Sequence, residues 1–158
     1  MFFVKDDFMK KLLSFLLIIC CLASTFVLRN ESGDIFSFDG CEQVCLISEK
    51  DFGFDSQRSG DKVFNFCSYE KAKEIYNDIK ADLDGIQFYF KVFDEGNFYK
   101  KFRTSAISKS QVEGIDMVYG FSPCFENSIL IDGKKQNFQV AKTKEWTILG
   151  FPIILTGY

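Results

Sequence analysis

Residues 68–93, SYEKAKEIYNDIKADLDGIQFYFKVF, contain the change of hydrophobic period that decides the fold. In the first part, apolar residues recur every three or four positions, which is the spacing of an amphipathic helix. Ser68 is a suitable N-cap and Gly85 a suitable stop, so the sequence predicts a helix over residues 69–84. After the helix the period becomes two, which predicts a strand over residues 86–93. Its apolar side is expected to hold Ile86, Phe88, Phe90 and Val92, and its solvated side Gln87, Tyr89 and Lys91.

The chain after this stretch is typical of antiparallel strands joined by short turns. The sequence DEGN at 94–97 predicts a turn into a return strand over 98–107, and the next residues, 108–114, are polar. Asp132 and Gly133 together predict a hairpin turn. Further strands are predicted at 115–122, 128–132, 133–141 and 146–150, and from Pro152 onward.

Two shorter strands are predicted upstream of the helix, at 44–48 and 62–67, where apolar residues cluster. The polar stretch between them, 49–61, is rich in Gly, Asp and Ser and predicts a loop. One helix among many alternating strands indicates the α+β class, with an amphipathic helix packed on a mostly antiparallel sheet. The alternation of apolar and polar residues predicts that one face of this sheet is solvated.

The first 23 residues predict a signal peptide or an N-terminal anchor. Lysines precede an uncharged apolar run at 12–28, and small residues favour cleavage after Ala23. The run is slightly shorter than the roughly 20 residues of a membrane span, and an uncleaved anchor is the alternative. In both cases residues 24–158 are expected to form a single α+β domain outside the cytoplasm.

Composition excludes several function classes. The chain has 20 phenylalanines and 47% hydrophobic residues, which argues against intrinsic disorder. It has no histidine, and so lacks the commonest general base and transition-metal ligand. Removal of residues 1–23 takes away three lysines and two aspartates and changes the net charge from −3 to −4. An acidic exported protein is not expected to bind nucleic acid, because neutralisation of phosphates supplies most of that affinity.

Four cysteines follow the predicted signal peptide: Cys41, Cys45, Cys67 and Cys124. An even number in an exported chain predicts up to two disulfides, Cys67–Cys124 first and Cys41–Cys45 second, with free thiols as the alternative. The closely spaced pair Cys41 and Cys45 lacks a histidine or a second close pair to complete a zinc site. No metal and no other cofactor is therefore predicted.

Two motifs in the last third of the chain occur in a fixed order, YGFSPCFENSILIDGKKQNFQVA at 119–141 and TILGFPIILTGY at 147–158. Together they resemble the C-terminal region of the YwmB family of TATA-box-binding-protein-like proteins, over residues 115–158. The resemblance implies an extracytoplasmic protein of low-GC Gram-positive bacteria with a helix-on-sheet fold similar to TATA-binding protein, and no established biochemical activity. The residues that carry it are Phe121, Lys135, Asn137, Gln139, Ala141, Gly150, Pro152, Ile153, Ile154 and Tyr158.

The predicted function is that of a non-enzymatic envelope protein that binds a partner protein or a cell-envelope polymer. Asn137 and Gln139 are candidates for a contact on the sheet face. Their competing interpretation is structural, as polar residues on a solvated face or as amides that bond a neighbouring loop. The alternative function is a secreted, histidine-independent hydrolase with paired carboxylates, but the acidic residues fall in loops and no catalytic residue is predicted.

Overall fold

An antiparallel sheet of eight strands with two helices against one face makes up most of the described structure. The computed structural model describes residues 33–112, 114–152 and 154, all within the compact unit Gly33–Tyr158. The helices are α1 Tyr69–Ile79 and α2 Glu95–Lys101, and the α+β class is confirmed. The strands are β1 Cys41–Ser48, β2 Asp55–Ser59, β3 Lys62–Cys67, β4 Leu83–Phe90, β5 Ser105–Val112, β6 Ile115–Phe121, β7 Ile129–Ile131, β8 Lys134–Gln136, β9 Phe138–Lys142 and β10 Thr147–Phe151.

The strand order of the large sheet is β2-β3-β1-β4-β10-β9-β6-β5. Strands β7 and β8 form a separate hairpin, and the turn between them lies at Asp132 and Gly133 as predicted. Both turn residues have positive φ, 50° and 73°, which is the conformation that an Asp-Gly turn provides at low cost.

The main helix begins where the sequence predicts but ends earlier. The Ser68 hydroxyl accepts a hydrogen bond from the Lys71 N–H at 3.2 Å, so the predicted N-cap is confirmed. The predicted end at residue 84 is wrong, because α1 stops at Ile79 and a 3₁₀ turn at Lys80–Asp82 leads into β4. Gly85 is therefore no helix stop and lies within β4, where pairing with β1 outweighs the helical spacing of the preceding residues.

The predicted turn and return strand over 94–107 is also wrong, because this stretch begins with the helix α2. The Asp94 carboxylate accepts the N–H of Asn97 at 2.9 Å and caps the helix. Phe98 and Phe102, four residues apart, are both buried in the core, and this spacing suits a helix rather than a strand.

Two stretches predicted as polar connections contain strands. β2 lies within the predicted loop 49–61, and β5 covers most of the polar stretch 108–114. Both are edge strands of the sheet. An edge strand can keep polar residues on its exposed side, and so it need not show the apolar alternation on which the prediction relied.

The main core lies between the helices and one face of the sheet, here called the core face. Val44, Leu46, Phe88 and Leu149 of this face are fully buried. Burial of one such side chain contributes roughly 1.5–3 kcal/mol. The predicted strand 86–93 ends at Phe90, however, and Val92, expected on the apolar side, is 84% exposed.

The opposite face of the sheet, here called the second face, was predicted to be solvated and is largely buried. Cys45 and Ile47 are 0% exposed, and Ile148 is 5% exposed. Gln87, placed on the solvated side by strand alternation, is also 0% exposed. The alternation of side chains along the strand was therefore predicted correctly, but the prediction that this face is solvated is wrong.

Several predictions concern residues that the structure does not describe. The predicted signal peptide or anchor, residues 1–23, lies outside the described residues, as do Ile153 and residues 155–158 of the predicted terminal strand. Pro152 and Ile154 are described, and neither belongs to a strand. Within the described ranges, no helix has the length and apolar character needed to cross a membrane.

Candidate functional site on the second face of the sheet

A row of paired residues crosses five strands on the second face. The pairs are Cys45 with Gln87, Gln87 with Gly150, Gly150 with Gln139, and Gln139 with Tyr119. Because directly paired residues point to the same side of a sheet, this row, here called the central row, presents two amides around a glycine.

A second row lies one step along the strands and is apolar. It consists of Tyr89, Ile148, Ala141 and Met117, and it is here called the apolar row. Ile148, Ala141 and Met117 are all buried, while Tyr89 is half-buried. The period of two places the amides and the apolar side chains on one face, at alternate positions of the same strands.

Both glutamines of the central row are buried, Gln87 at 0% and Gln139 at 2% exposure. A buried amide needs hydrogen-bond partners. The Tyr89 hydroxyl donates to the Gln87 Oε1 at 2.9 Å. The Gln139 Oε1 accepts the backbone N–H of Ile154 at 3.0 Å, and its Nε2 lies 3.0 Å from the Met117 sulfur.

Gly150 separates the two amides. Two steps of the strand spacing place the α-carbons of Gln87 and Gln139 roughly 10 Å apart. Gly150 has no side chain that would stand between the two amides, and it is itself buried. An amide offers both an acceptor and a donor, which is also what a peptide bond presents.

Aromatic residues form one side of this face. Tyr89 contacts Trp146 edge-on with ring centroids 6.1 Å apart, and it contacts Phe66 at 6.3 Å. The Lys91 ammonium lies 3.5 Å from the centroid of the Trp146 ring, within cation–π distance. Tyr89, Trp146 and Phe66 are only partly buried, so they keep contact area for another molecule.

Asn137 is buried and holds the loop that follows β6. Its Oδ1 accepts the Ser122 N–H at 2.8 Å, and its Nδ2 donates to the carbonyls of Ser122 and Phe125 at 2.7 and 3.1 Å. With 0% exposure it makes no surface contact. Of its two interpretations, the structural one, an amide that bonds a neighbouring loop, describes this geometry.

The other residues of the family motif are dispersed. Gln139, Ala141 and Gly150 come together on the second face, whereas Lys135 is exposed on the separate hairpin β7–β8. Phe121 ends β6, and Pro152 follows β10. Ile154 packs on the apolar row, while Ile153 and Tyr158 lie outside the described residues.

The four cysteines are free thiols, so neither predicted disulfide is formed. Cys41 and Cys45 lie four residues apart on the extended strand β1, which separates their α-carbons by roughly 13 Å. A disulfide requires less than about 7 Å. Burial raises the pKa of Cys41 to about 11 and that of Cys45 to about 12, which leaves both as thiols near neutral pH.

Three acidic side chains of the described residues serve local structure. Asp51 accepts the N–H of Gly53 at 2.8 Å, and Asp116 accepts from the Gln111 amide at 2.8 Å. The Glu95 carboxylate lies 2.5 Å from the Lys142 ammonium. Among the residues that the structure describes, no group of three or more Cys, Asp or Glu is placed to hold a metal ion.

The sequence reasoning missed Gln87, Tyr89, Lys91 and Trp146 as members of a site. It assigned the first three to the solvated side of a strand and gave no role to Trp146. One signal was present, because the outer positions of that strand carry Gln and Tyr where charged residues are usual on a solvated face.

Comparison with known proteins gives no match, neither to a family model nor to a curated protein or a solved structure.

Proposed function

We propose that this chain is an exported, non-enzymatic envelope protein that binds an extended segment of a partner polypeptide on the second face of its sheet. The observation that carries the proposal is the hydrogen bond from the Ile154 backbone N–H to the Gln139 Oε1. Through this bond, a side-chain amide of the face already holds a piece of main chain.

The remainder of the face suits the same kind of ligand. Gln87 occupies the equivalent place across Gly150 and carries the same amide group, whose Oε1 accepts a hydrogen bond from the Tyr89 hydroxyl. An extended polypeptide places alternate side chains on one side, where the apolar row can receive them. Tyr89 and Trp146 add the partly exposed aromatic surface that dominates binding energy at many interfaces.

We also propose that the chain is exported and that it is a member of the YwmB family. Export rests on the predicted signal peptide or anchor over residues 1–23. The resemblance of residues 115–158 to the YwmB family, with its TATA-binding-protein-like fold, supports an extracytoplasmic role, and helices packed on one face of an antiparallel sheet are compatible with that fold. Fold likeness alone does not supply an activity, so the binding role rests on the face.

A cross-linked affinity purification of the tagged full chain from intact cells tests this function. We expect one dominant envelope protein to be captured by the wild type and by the control Lys73→Ala, which alters the exposed side of α1. The variant Trp146→Ala should lose that protein while keeping its circular dichroism spectrum. Equal capture by all three proteins would refute binding at the second face, and empty eluates from all three would refute partner binding.

A further inference from the structure

Strand β5 is one edge of the large sheet, and no strand of the described structure pairs with its outer side. It is eight residues long, whereas the opposite edge strand β2 has five. Residues 108–112 are all exposed at the surface. An exposed edge presents main-chain N–H and C=O groups, which another strand can bond.

The features that usually prevent pairing between edge strands are nearly absent from β5. Prolines and charged side chains on an edge discourage such pairing. The sequence of β5, SAISKSQV, contains no proline, and Lys109 carries its single charge, whereas β2 has two charges in five residues. The pairing of β5 with β6 is irregular only between Ala106 and Ser108, so residues 108–112 form a regular segment.

We propose that two copies of this chain associate through β5, with the two strands antiparallel about a two-fold axis at Ser110. Ser110 is the middle residue of the regular segment 108–112, so this register pairs the whole segment with its counterpart. A two-fold axis perpendicular to the sheet keeps the second faces of the two copies on the same side of one continuous sheet. The contact lies at the edge of the sheet and is independent of the proposed function.

The charges beside this edge favour the register centred on Ser110. That register places Lys109 of one copy opposite Gln111 of the second copy. Gln111 is paired with Asp116 of β6, and its Nε2 donates to the Asp116 Oδ1 at 2.8 Å. Lys109 and Asp116 of the second copy therefore lie on one side of the sheet with roughly 10 Å between their α-carbons, which the two side chains can span. Symmetry supplies this pair twice, whereas an axis at Lys109 would place two lysines opposite each other.

The pairing also covers an exposed apolar side chain. Val112 is 45% exposed at the end of β5. In this register it lies opposite Ser108 of the second copy, and Ser108 is paired with Tyr119 of β6. Since serine is small, Val112 can pack toward the half-buried Tyr119 ring. The regular segment supplies far fewer residues than the roughly 20–30 on each side of a standard interface, so the dimer is expected to be weak.

A cysteine at the two-fold axis tests the pairing directly. Residues opposite each other in an antiparallel pair have α-carbons roughly 4.5–5.5 Å apart, which suits a disulfide. Mild oxidation of the full-length Ser110→Cys variant should therefore give a covalent dimer joined at position 110. Ser108→Cys is the matched control, because Ser108 lies opposite Val112 and the two introduced thiols are roughly 14 Å apart.

Peptide mass mapping of the oxidised proteins measures where and how fast each cross-link forms. We expect the cross-link at position 110 to form at least about tenfold faster than the one at position 108. Equal rates for the two variants, or no cross-link at position 110, would overturn the proposal.

Charge exchange on the Ser110→Cys background tests the register. Lys109→Glu places a carboxylate near Asp116 of the second copy and should slow cross-linking about tenfold, because the pair occurs twice. Adding Asp116→Lys restores the attraction with reversed signs and should return the rate to that of Ser110→Cys alone. The control Arg58→Glu makes the same charge change on β2 and should leave the rate unchanged. Equal rates with and without Lys109→Glu, or no recovery with Asp116→Lys, would overturn the proposed pairing.

Hydrogen exchange of the unmodified full chain decides the matter if a variant fails to fold. The peptide that contains residues 105–112 should exchange more slowly as the protein concentration rises, because outer N–H groups of β5 become hydrogen-bonded in the dimer. Exchange of this peptide that is independent of concentration would overturn the proposal. No partner protein is present in any of these measurements, so failure of the partner-binding role leaves their outcome unaffected.

Discussion

Asn137→Asp should strongly destabilise the protein, although the two side chains have almost the same shape. In the wild type the Asn137 Nδ2 donates to the Ser122 and Phe125 carbonyls at 2.7 and 3.1 Å. An aspartate has no N–H, and each buried group left unpaired costs about 1–3 kcal/mol. Loss of both bonds therefore reduces the free energy of unfolding by roughly 2–6 kcal/mol, before any cost of burying the charge.

The loss should depend on pH with a defined sign. A buried carboxyl that faces two carbonyl oxygens favours its protonated form, so the pKa at position 137 should lie above the unfolded value of about 3.9. The folded variant then holds its proton more tightly than the unfolded chain does. The defect of the variant is smallest below about pH 4 and grows as the pH rises toward neutrality.

Urea unfolding followed by far-ultraviolet circular dichroism, at about pH 4 and at neutral pH, measures this loss of stability. The control Asn127→Asp lies in the exposed part of the same loop and should change stability by less than about 0.5 kcal/mol. Equal stability of the Asn137 variant and the wild type at neutral pH would refute the role of Asn137 as a buried clamp on this loop.

Three further predictions concern packing and titration. Gly120→Ala places a Cβ 2.1 Å from the buried Phe138 ring and should lower the free energy of unfolding in urea by about 1–3 kcal/mol. Gly96→Ala in α2 meets only ordinary contacts and should raise that free energy by up to about 1 kcal/mol. The reverse order of stabilities would contradict this packing. Burial raises the pKa of Cys45 and of Tyr99 to about 12, above their ordinary values of 9.0 and 10.0. The folded protein therefore holds these protons more tightly than the unfolded chain, and the urea midpoint should fall as the pH rises from 9 toward 12. A midpoint that stays constant over this range would contradict the burial of these two groups. Iodoacetamide at neutral pH should leave Cys45 unmodified until the protein unfolds, and peptide mass mapping would expose any earlier reaction.

Local features of the fold could be predicted because their causes lie within a few residues. The start of α1 depends on Ser68 and the first turn that it caps, and the β7–β8 hairpin depends on Asp132 and Gly133. Helix α2 has equally local signals, the cap at Asp94 and the spacing of Phe98 and Phe102. They were overlooked because DEGN also resembles a hairpin turn.

The candidate site could be predicted only in part. The strand alternation correctly placed Gln87 and Tyr89 together on one side of β4, opposite Phe88. It gave no indication that Gln139 would share a row with Gln87, because that depends on β10 inserting between β4 and β9. The edge strands β2 and β5 were missed for a related reason, since their polar residues take their strand conformation from partner strands.

The sequence by itself determined the α+β class, the place where the main helix begins and the side of β4 on which its residues lie. These follow from hydrophobic period and capping, which act between neighbouring residues. Only the tertiary structure decided that the second face is buried and that its amides are bonded, because whether a sheet face is covered depends on segments far apart in the chain. The Gln139 amide shows this most directly: it is bonded by Ile154, which follows it by 15 residues and reaches it only after β10 has joined the sheet.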